Sequence, residues 1–329
     1  MHIAIVDGGY VSYEIEERGA SSVGASIEMR QCHGEDDVAE FARDAVAVMA
    51  RQSPLSRRVI ERLEQCRVIA RYGTGVDNVD LEAATEQGIV VANVVGFGTN
   101  EVAEHAIALL LAGARHIVNH DHAVREGAWD IGPADPIHRI TGSTLGLVGF
   151  GAIARAVHAK LRGFELRTLV HDPFVDPAEV HALGAQAVEL DVLLREADLV
   201  SLHAPLTDAT HRLIDARALA LVKSSVVLVN TARGGLIDTD ALVDALDEGR
   251  IAAAGLDVYE EEPLPAEHPL RDCERAILLD HAEWYSEEST ETLQRGAIDA
   301  VVAVLEGRRP VSVVNPDVYA RGLRGSGEG

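Results

Sequence analysis

Short runs of valine, isoleucine, leucine and alanine alternate with longer amphipathic stretches along the whole 329-residue chain. This alternation constrains the fold most, because it is typical of βαβ units, in which helices connect parallel strands. The run Val226–Val229 is apolar at every position, as expected of a strand covered on both faces. Since the chain also exceeds the length of a typical single domain, we predict two α/β domains, each built on a doubly wound parallel sheet.

The apolar runs predict strands at His2–Val6, Ala45–Ala50, Val68–Ala70, Ile89–Ala92, a run from Thr144, Leu166–Val170, Leu199–Leu202, Val226–Val229, Ala252–Gly255 and Ile277–Leu279. A helix is predicted from Glu101 to Val118, with Thr99 or Asn100 as its N-cap. A last helix, Ser286–Leu305, is expected to return the chain to the first domain.

Composition excludes several classes of partner. The net charge of −24 disfavours nucleic acid, because phosphates are bound largely by lysine and arginine. The three cysteines, Cys32, Cys66 and Cys273, are far apart and predict neither a disulfide framework nor a zinc site. The N-terminus is typical of a first strand, and the longest apolar stretch, Ala106–Ala114, is too short to span a membrane. We therefore expect a cytoplasmic protein without a nucleic-acid or membrane partner.

A G-x-G-x-x-A element lies between a predicted strand and a predicted helix, at Gly149, Phe150, Gly151, Ala152, Ile153 and Ala154. The first glycine permits a tight turn, the second lets the backbone approach a pyrophosphate, and the small last residue allows close helix–strand packing. The N-terminus of the following helix offers N–H groups and a positive dipole end to the phosphates. The element predicts a dinucleotide site.

Asp172 indicates which dinucleotide binds. It lies 21 positions after Gly151, at the end of the next predicted strand, where a carboxylate can accept hydrogen bonds from the adenosine ribose. It would repel a 2′-phosphate, and no arginine stands beside it in His171–Phe174, so NAD is favoured over NADP. Alternatively, Asp172 only caps a turn before Pro173.

Three later segments contain the residue types that reduction of a keto acid requires. Each comes directly after a predicted strand, and they are Asn230–Gly235, Gly255–Pro263 and His281–Tyr285. Reduction of a 2-oxo acid needs a cation for the substrate oxygens, an acid for the forming alkoxide, and a carboxylate that orients the acid. Arg233, His281 and Glu262 fill these roles. Taken singly, Arg233 could be a surface arginine and His281 an interior histidine; their joint occurrence with Glu262 favours a site.

The chain resembles the D-isomer-specific 2-hydroxyacid dehydrogenases over essentially its whole length, in Gly149–Ala154, Asn230–Gly235, Gly255–Pro263 and His281. The resemblance implies that Arg233 binds substrate, that His281 is the acid/base and that Glu262 is its partner. It also implies cofactor contacts, made by Thr74, His203, Ala204, Pro205, Thr231, Ala232 and Asp257. It further implies a flavodoxin-like substrate domain, residues 1–100 and 285–329, into which the NAD-binding Rossmann domain, residues 101–284, is inserted.

Within this family the segment from His281 to Glu287 is similar to the C-terminal binding protein branch. Asp280 replaces the usual proline before the histidine, and Ala282 or Glu283 replaces the usual glycine after it. Trp284 is then expected to line the substrate pocket, although it could be core packing.

A second segment, Arg71–Asp80, resembles the same branch and the phosphoglycerate dehydrogenases. Arg71, Tyr72 and Gly73 are expected to bind the substrate, with Arg71 as a second cation and the glycines exposing backbone N–H groups. Alternatively, Arg71 forms an ion pair with Asp77 or Asp80.

The sequence thus predicts an NAD-dependent oxidoreductase that moves a hydride between NAD(H) and a small 2-oxo or 2-hydroxy acid. Two alternatives remain: a phosphoglycerate or phosphite dehydrogenase on the same scaffold, and an NAD(H)-sensing co-repressor-like binding protein. The histidines at 116, 120 and 122 are expected to be a solvated helix end without a metal, since no carboxylate or cysteine completes a cluster. The alanine- and leucine-rich helix Glu101–Ala114 suits a homodimer interface.

Overall fold

The computed structural model describes residues 1–129 and 136–324, and its internal contacts divide the chain into two units. One unit combines both chain ends, Met1–Phe97 and Ser286–Gly329, and the other is the intervening segment Gly98–Tyr285. Along the chain, the second unit is therefore inserted into the first.

The strands of the described residues are β1 (His2–Ile5), β2 (Ser26–Met29), β3 (Ala47–Ala50), β4 (Val68–Arg71), β5 (Val90–Ala92), β6 (Thr144–Val148), β7 (Arg167–His171), β8 (Gln186–Ala187), β9 (Leu199–Leu202), β10 (Val227–Asn230), β11 (Ala253–Leu256) and β12 (Ala276–Leu278). The α-helices are α1 (Glu14–Ser22), α2 (Glu35–Phe41), α3 (Arg57–Ile60), α4 (Leu81–Glu86), α5 (Thr99–Ala114), α6 (Ile117–Arg125), α7 (Ala152–Lys160), α8 (Pro177–Ala182), α9 (Leu190–Glu196), α10 (Ala216–Leu219), α11 (Thr239–Asp247), α12 (Glu287–Leu305) and α13 (Val318–Arg321).

The first unit is built on a five-stranded parallel sheet with the order β2-β1-β3-β4-β5, which is the flavodoxin-like order. Its inner strands are apolar on both faces, and Ile3, Val48 and Ile69 are completely buried. The long helix α12 packs in this unit against α1, β4 and β5. It begins with a capping box formed by Ser286 and Ser289.

The second unit is built on a seven-stranded parallel sheet with the order β12-β11-β10-β9-β6-β7-β8. The chain winds outward from β6 in one direction and from β9 in the other. In such sheets, ligands bind in the crevice at the carboxyl ends of the strands where the order reverses. Two doubly wound parallel-sheet units confirm the predicted fold class.

The sequence pattern misses two strands, β2 and β8. β2 has no buried residue and β8 only two residues, so neither contains an apolar run, and both lie at or near a sheet edge. The other strands begin and end within two residues of their predicted bounds.

The single helix predicted from Glu101 to Val118 is in fact two helices, α5 and α6. His116 lies between them in a left-handed conformation with φ of 50°, which interrupts the helical path. The predicted N-caps are also wrong. Thr99 is already helical, and Gly98 is the N-cap residue, without a side chain to bond the first turn.

Candidate active site

The glycine-rich turn follows β6 and lies against the segment that follows β9. Gly149 has φ of 87°, and a Cβ atom there would lie 2.8 Å from backbone atoms of His203 and Ala204. Only glycine permits both the conformation and the close approach. The turn is thus fixed at the point where the strand order of this unit reverses.

The N-terminus of α7 fits the pyrophosphate of a dinucleotide. Gly151 is the N-cap residue, no side chain caps the helix, and its first turn contains no acidic residue. A Cβ atom at Gly151 would have no described neighbour within 4 Å, so the backbone borders open space. Because the first N–H groups of a helix have no intrahelical partner, this end suits an anion.

Asp172 lies beside this turn, after β7. Its two carboxylate oxygens accept hydrogen bonds from the backbone N–H groups of Phe150, at 2.8 Å, and Phe174, at 2.9 Å. The side chain therefore caps a turn, which is the alternative to ribose binding that the sequence left open. It is also held next to the glycine-rich turn, where a ribose-binding carboxylate must stand.

His203, Ala204 and Pro205 follow β9 at the same edge of the sheet. The Nε2 atom of His203 is 2.9 Å from the hydroxyl of Ser201, and burial lowers the pKa of His203 to about 4. His203 is therefore neutral near pH 7. After β10, the buried hydroxyl of Thr231 has no hydrogen-bond partner among the described residues, so a bound group could supply one.

Asn230, the last residue of β10, shapes the turn that presents Arg233. Its side chain accepts a hydrogen bond from the N–H of Ala232, at 3.0 Å, and donates one to the carbonyl of Arg233, at 2.8 Å. Asn230 is completely buried. This role of Asn230 was not predicted, although a polar residue that ends an apolar strand is a usable sequence signal.

Gly234 brings the Arg233 turn close to the loop that carries Glu262. A Cβ atom at Gly234 would lie 1.8 Å from the carbonyl carbon of Tyr259, so any other residue would push the two loops apart. The positive charge of Arg233 contributes to lowering the pKa of Glu262. The structure thus brings Arg233 and Glu262 together.

His281 and Glu262 form a direct pair. The Nδ1 atom of His281 is 2.6 Å from Oε2 of Glu262, and the N–H of Tyr259 donates to Oε1 at 3.0 Å. Burial opposes ionisation of Glu262, but the hydrogen bonds from His281 and Tyr259 outweigh it, so its pKa lies below the ordinary value. A carboxylate paired with one ring nitrogen is the arrangement that orients an acid/base histidine.

The loop after β12 holds His281 in an unusual conformation, with φ of 60°. Asp257 supports this loop from behind, because its carboxylate accepts hydrogen bonds from the N–H groups of Ala282, at 3.2 Å, and Glu283, at 3.0 Å. Trp284 donates from its indole nitrogen to the carbonyl of His281, at 3.2 Å. The Trp284 side chain therefore helps to stabilise the conformation of the histidine loop.

Asp257 is completely buried, which the expected cofactor contact did not foresee. Its carboxylate serves the backbone of the histidine loop and lies 3.3 Å from Nε2 of His105 on α5. Burial opposes ionisation of Asp257, but hydrogen bonds from His105, Glu283 and Ala282 lower its pKa. The position of Asp257 therefore indicates that it stabilises the histidine loop. Its side chain has no exposed surface that a cofactor could contact in this structure.

In the first unit, the expected substrate loop follows β4. Arg71 donates to the carbonyl of Tyr72 at 2.7 Å, and Gly73, with φ of 141°, leaves room for the Arg71 guanidinium. The hydroxyl of Thr74 donates to the carbonyl of Val94 at 3.1 Å. The positions of these groups at the carboxyl end of β4 agree with a ligand-binding edge.

Tyr72 requires a correction. Its side chain points into the core of the first unit, is 3% exposed, and donates a hydrogen bond to Glu16 at 2.9 Å. The N–H of Gly73 donates to the carbonyl of Arg71 and is thus already used. The Tyr72 side chain therefore cannot contact a substrate, because the buried Glu16 needs its hydroxyl as a partner.

Comparison with known proteins identifies the family. The NAD-binding domain of the D-isomer specific 2-hydroxyacid dehydrogenases matches residues 107–282. A glyoxylate reductase from Korarchaeum cryptofilum is 37% identical over 318 residues, covering 94% of this chain and 96% of that protein. The chain belongs to the D-isomer specific 2-hydroxyacid dehydrogenase family.

Two further proteins are similar to this dehydrogenase. The crystal structure of a glyoxylate reductase from Paecilomyes thermophila has a TM-score of 0.85 and 31% identity, covering 96% of this chain and 98% of that one. A D-3-phosphoglycerate dehydrogenase from Methanocaldococcus jannaschii is 37% identical over 282 residues, covering 85% of this chain but only 53% of that protein. The resemblance to the C-terminal binding protein branch stays a prediction.

The dehydrogenase is thus an NAD-dependent oxidoreductase that transfers a hydride between NAD(H) and a small 2-oxo or 2-hydroxy acid. In residues 1–129 and 136–324, every helix is too short or too polar to cross a lipid bilayer. In the same residues, no cluster of three or more histidine, cysteine or acidic side chains is arranged to hold a metal ion.

Proposed function

We propose that Arg233, Glu262 and His281 carry the reduction of a short 2-oxo acid. The observation that supports this most is the 2.6 Å pair between His281 Nδ1 and Glu262 Oε2, because it leaves Nε2 as the nitrogen that exchanges a proton with the substrate. Bound NADH supplies the hydride for the carbonyl carbon. The guanidinium of Arg233 binds the substrate oxygens, and Nε2 of His281 donates the proton that the forming alkoxide needs.

Glu262 acts through His281. Since hydrogen bonds keep this carboxylate ionised, it stabilises the imidazolium and keeps Nδ1 protonated. The three residues follow β10, β11 and β12, three neighbouring strands of one sheet. A rigid sheet edge can hold such groups in the fixed geometry that the reaction requires.

We assign the cofactor to the second unit. The backbone of Gly149, Phe150, Gly151, Ala152 and Ile153 would cradle the pyrophosphate, supported by the uncapped N-terminus of α7. Asp172 would bind the adenosine ribose and exclude a 2′-phosphate. His203, Ala204, Pro205, Thr231 and Ala232 would line the remainder of the cofactor site, and the Thr231 hydroxyl is available for a hydrogen bond.

We assign substrate binding in part to the first unit, through Arg71 and Gly73, and Thr74 stays a predicted cofactor contact. A substrate as small as glyoxylate is favoured, because the glyoxylate reductase of Korarchaeum cryptofilum is 37% identical to this chain over nearly its whole length. Trp284 would limit the size of the substrate side chain.

A substrate panel tests this proposal. NADH oxidation is followed with glyoxylate, hydroxypyruvate, pyruvate and longer 2-oxo acids, using wild-type enzyme and Arg233→Gln. We expect turnover of the shortest acids and a loss of roughly 10²-fold or more in kcat/KM in the variant. Turnover that is equal in both proteins would reject the role of Arg233. NADH binding without turnover of any acid would indicate a sensor instead.

The phosphoglycerate alternative has one observation in its favour. Arg51, which follows β3, lies 5.3 Å from the ring centroid of Tyr10. Burial raises the pKa of Tyr10, and the charges of Arg51 and Arg71 counter that rise. Two cations thus act on one tyrosine of the first unit, and a substrate with a phosphate could use both. Oxidation of 3-phosphoglycerate in preference to glycolate would favour this alternative.

We also propose that the enzyme is a cytoplasmic homodimer. The cysteines are buried and unpaired, as is usual in reducing compartments. Much of the apolar surface of α5 packs within its own unit, at Val102, Ala106, Leu109 and Leu110. The remaining face, which includes the exposed Ala108 and the partly exposed Leu111, is available to a second copy. Light scattering in solution tests the dimer.

A further inference from the structure

Glu283 places a second carboxyl group beside the imidazole of His281. Its Oε1 atom is 3.6 Å from Nε2 of His281, whereas Glu262 is 2.6 Å from Nδ1. The imidazole therefore lies between two carboxyl groups, one at each ring nitrogen. Glu283 stands at the nitrogen that exchanges its proton with the substrate.

Glu283 is buried, with a side chain only 9% exposed. Its Oε2 atom is buried, and its carboxyl group shares a hydrogen bond with the carboxylate of Asp257. Burial, together with the neighbouring carboxylate of Asp257, raises the pKa of Glu283, and the charge of Arg233 counters this only in part. A group in this environment keeps its proton near pH 7, so Glu283 is a neutral carboxylic acid next to His281.

Two further proton-binding groups, Asp257 and His105, lie on the side of Glu283 that is away from His281. The carboxyl groups of Glu283 and Asp257 are hydrogen-bonded to each other, and the N–H of Glu283 also donates to Asp257 at 3.0 Å. Asp257 lies 3.3 Å from Nε2 of His105, whose side chain is 24% exposed. His281, Glu283, Asp257 and His105 thus form a series within one unit, which would connect the proposed acid/base to solvent when bound substrate and cofactor cover the 27% of the His281 side chain that is exposed in this structure.

We propose that Glu283 returns a proton to His281 after each reduction. The inference rests on the proposed role of His281. Nε2 of His281 loses its proton to the substrate oxygen; the O–H bond of Glu283 then breaks, and a new N–H bond forms at Nε2. The Glu283 carboxylate regains a proton that originates in solvent and passes by His105 and Asp257. No electrons move in these steps, and oxidation of a hydroxy acid runs them in reverse.

If Glu283 has this role, the rate of the first turnover does not depend on it, whereas the rate of later turnovers does. The first reduction uses the proton that His281 already holds, whereas every later one requires its replacement. The test therefore compares Glu283→Gln, which keeps the shape but cannot release a proton, with the wild type. Glu261→Gln is the control, because Glu261 is an exposed carboxylate of the neighbouring loop. NADH binding is titrated first in each protein.

Stopped-flow measurement of NADH oxidation gives both rates. In Glu283→Gln we expect a first turnover within about twofold of the wild type and steady-state turnover slower by roughly 10-fold or more. Glu261→Gln should match the wild type in both. Equal slowing of both phases would show that Glu283 only shapes the site, and unchanged rates would show that it is not needed; either result overturns the inference.

A second variant keeps the inference testable if glutamine disturbs the fold. Glu283→Ala leaves a space beside Nε2, and added formic acid should restore its steady-state rate in proportion to concentration. The absence of rescue in a variant that still binds NADH contradicts the inference. If His281→Gln retains the wild-type first turnover, the proposed function fails as well; if that variant is slow while Glu283→Gln shows no separation of phases, only this inference fails.

Discussion

His281 adopts a left-handed backbone conformation, which costs a residue with a side chain about 1–2 kcal/mol. The surroundings maintain it, because Asp257 binds the next two N–H groups and the Trp284 indole binds the His281 carbonyl. Strain of this kind is characteristic of functional sites, where the neighbouring structure fixes a side chain in one orientation. The neighbouring side chains thus fix the backbone that presents the His281 imidazole.

Residue types alone predicted Arg233, Glu262 and His281, because each is a chemically distinctive residue directly after an apolar strand. They could not predict the buried partners. Asn230 and Asp257 form hydrogen bonds to loop backbones, and these bonds depend on loop conformations that a sequence pattern does not contain. For the same reason the prediction that Tyr72 binds substrate is wrong, because its side chain is directed at Glu16.

The protonation of Glu283 should affect how the free energy of unfolding depends on pH. Native Glu283 holds its proton at pH values where a glutamate of the unfolded chain, with a pKa near 4.3, has released it. The native state then binds more protons than the unfolded state, so Glu283 makes stability fall as pH rises above that ordinary value. Glu283→Gln removes this contribution. We expect the variant to gain stability relative to wild type with rising pH, by at most about 1.4 kcal/mol per pH unit.

Thermal unfolding between about pH 5 and pH 8 measures this difference. For the exposed Glu261→Gln we expect a difference from wild type that does not change with pH. A Glu283→Gln difference that is equally flat would show that Glu283 ionises normally in the native protein.

At the scale of secondary-structure elements, the strands that are covered on both faces were the predictable part of the fold. Their apolar runs are continuous because helices cover both sides of the sheet. β2 and β8 could not be predicted in this way, since pairing with one neighbouring strand defines them more than burial does. The break between α5 and α6 depends on the conformation of His116, for which the local sequence carries no glycine or proline signal.

Close contact between the turns after β10 and β11 is a testable requirement of the site. In Gly234→Ala the new Cβ would overlap the carbonyl carbon of Tyr259 and displace the loop whose N–H orients Glu262. Because small displacements of reacting groups are costly, we expect turnover to fall by about 10²-fold while NADH still binds. Steady-state kinetics and NADH titration measure the two effects.

Gly163→Ala is the matched control, since a Cβ atom at Gly163 would have no described neighbour within 4 Å. It should behave as wild type. Full activity in Gly234→Ala would show that the two turns need not touch.

The segment after β7 should determine the choice between NADH and NADPH. Asp172→Asn removes the negative charge that would repel a 2′-phosphate, so we expect the preference for NADH to decrease by about 10-fold, or ~1.4 kcal/mol. Titration with both cofactors measures the ratio of Kd values. Asp176→Asn is the control, because Asp176 caps α8 and should leave this ratio unchanged. An unaltered ratio in Asp172→Asn would remove Asp172 from cofactor selection.

At the scale of the whole molecule, an acidic protein binds an acidic substrate without contradiction. The net charge of −24 is spread over the surface, and salt screens charges beyond about 8 Å. In the proposed site Arg233 would act at contact distance, in a partly buried turn, where a single cation outweighs distant carboxylates. Composition therefore disfavours nucleic acid as a partner but could not predict the proposed anion site.

The central claim is that His281 donates the proton that accompanies hydride transfer. The most direct test measures single-turnover NADH oxidation by glyoxylate in wild type and His281→Gln, with NADH affinity titrated in parallel. We predict a rate lower by about 10²–10⁴-fold in the variant and an unchanged Kd for NADH. A variant that binds NADH and reduces glyoxylate at the wild-type rate would contradict the account.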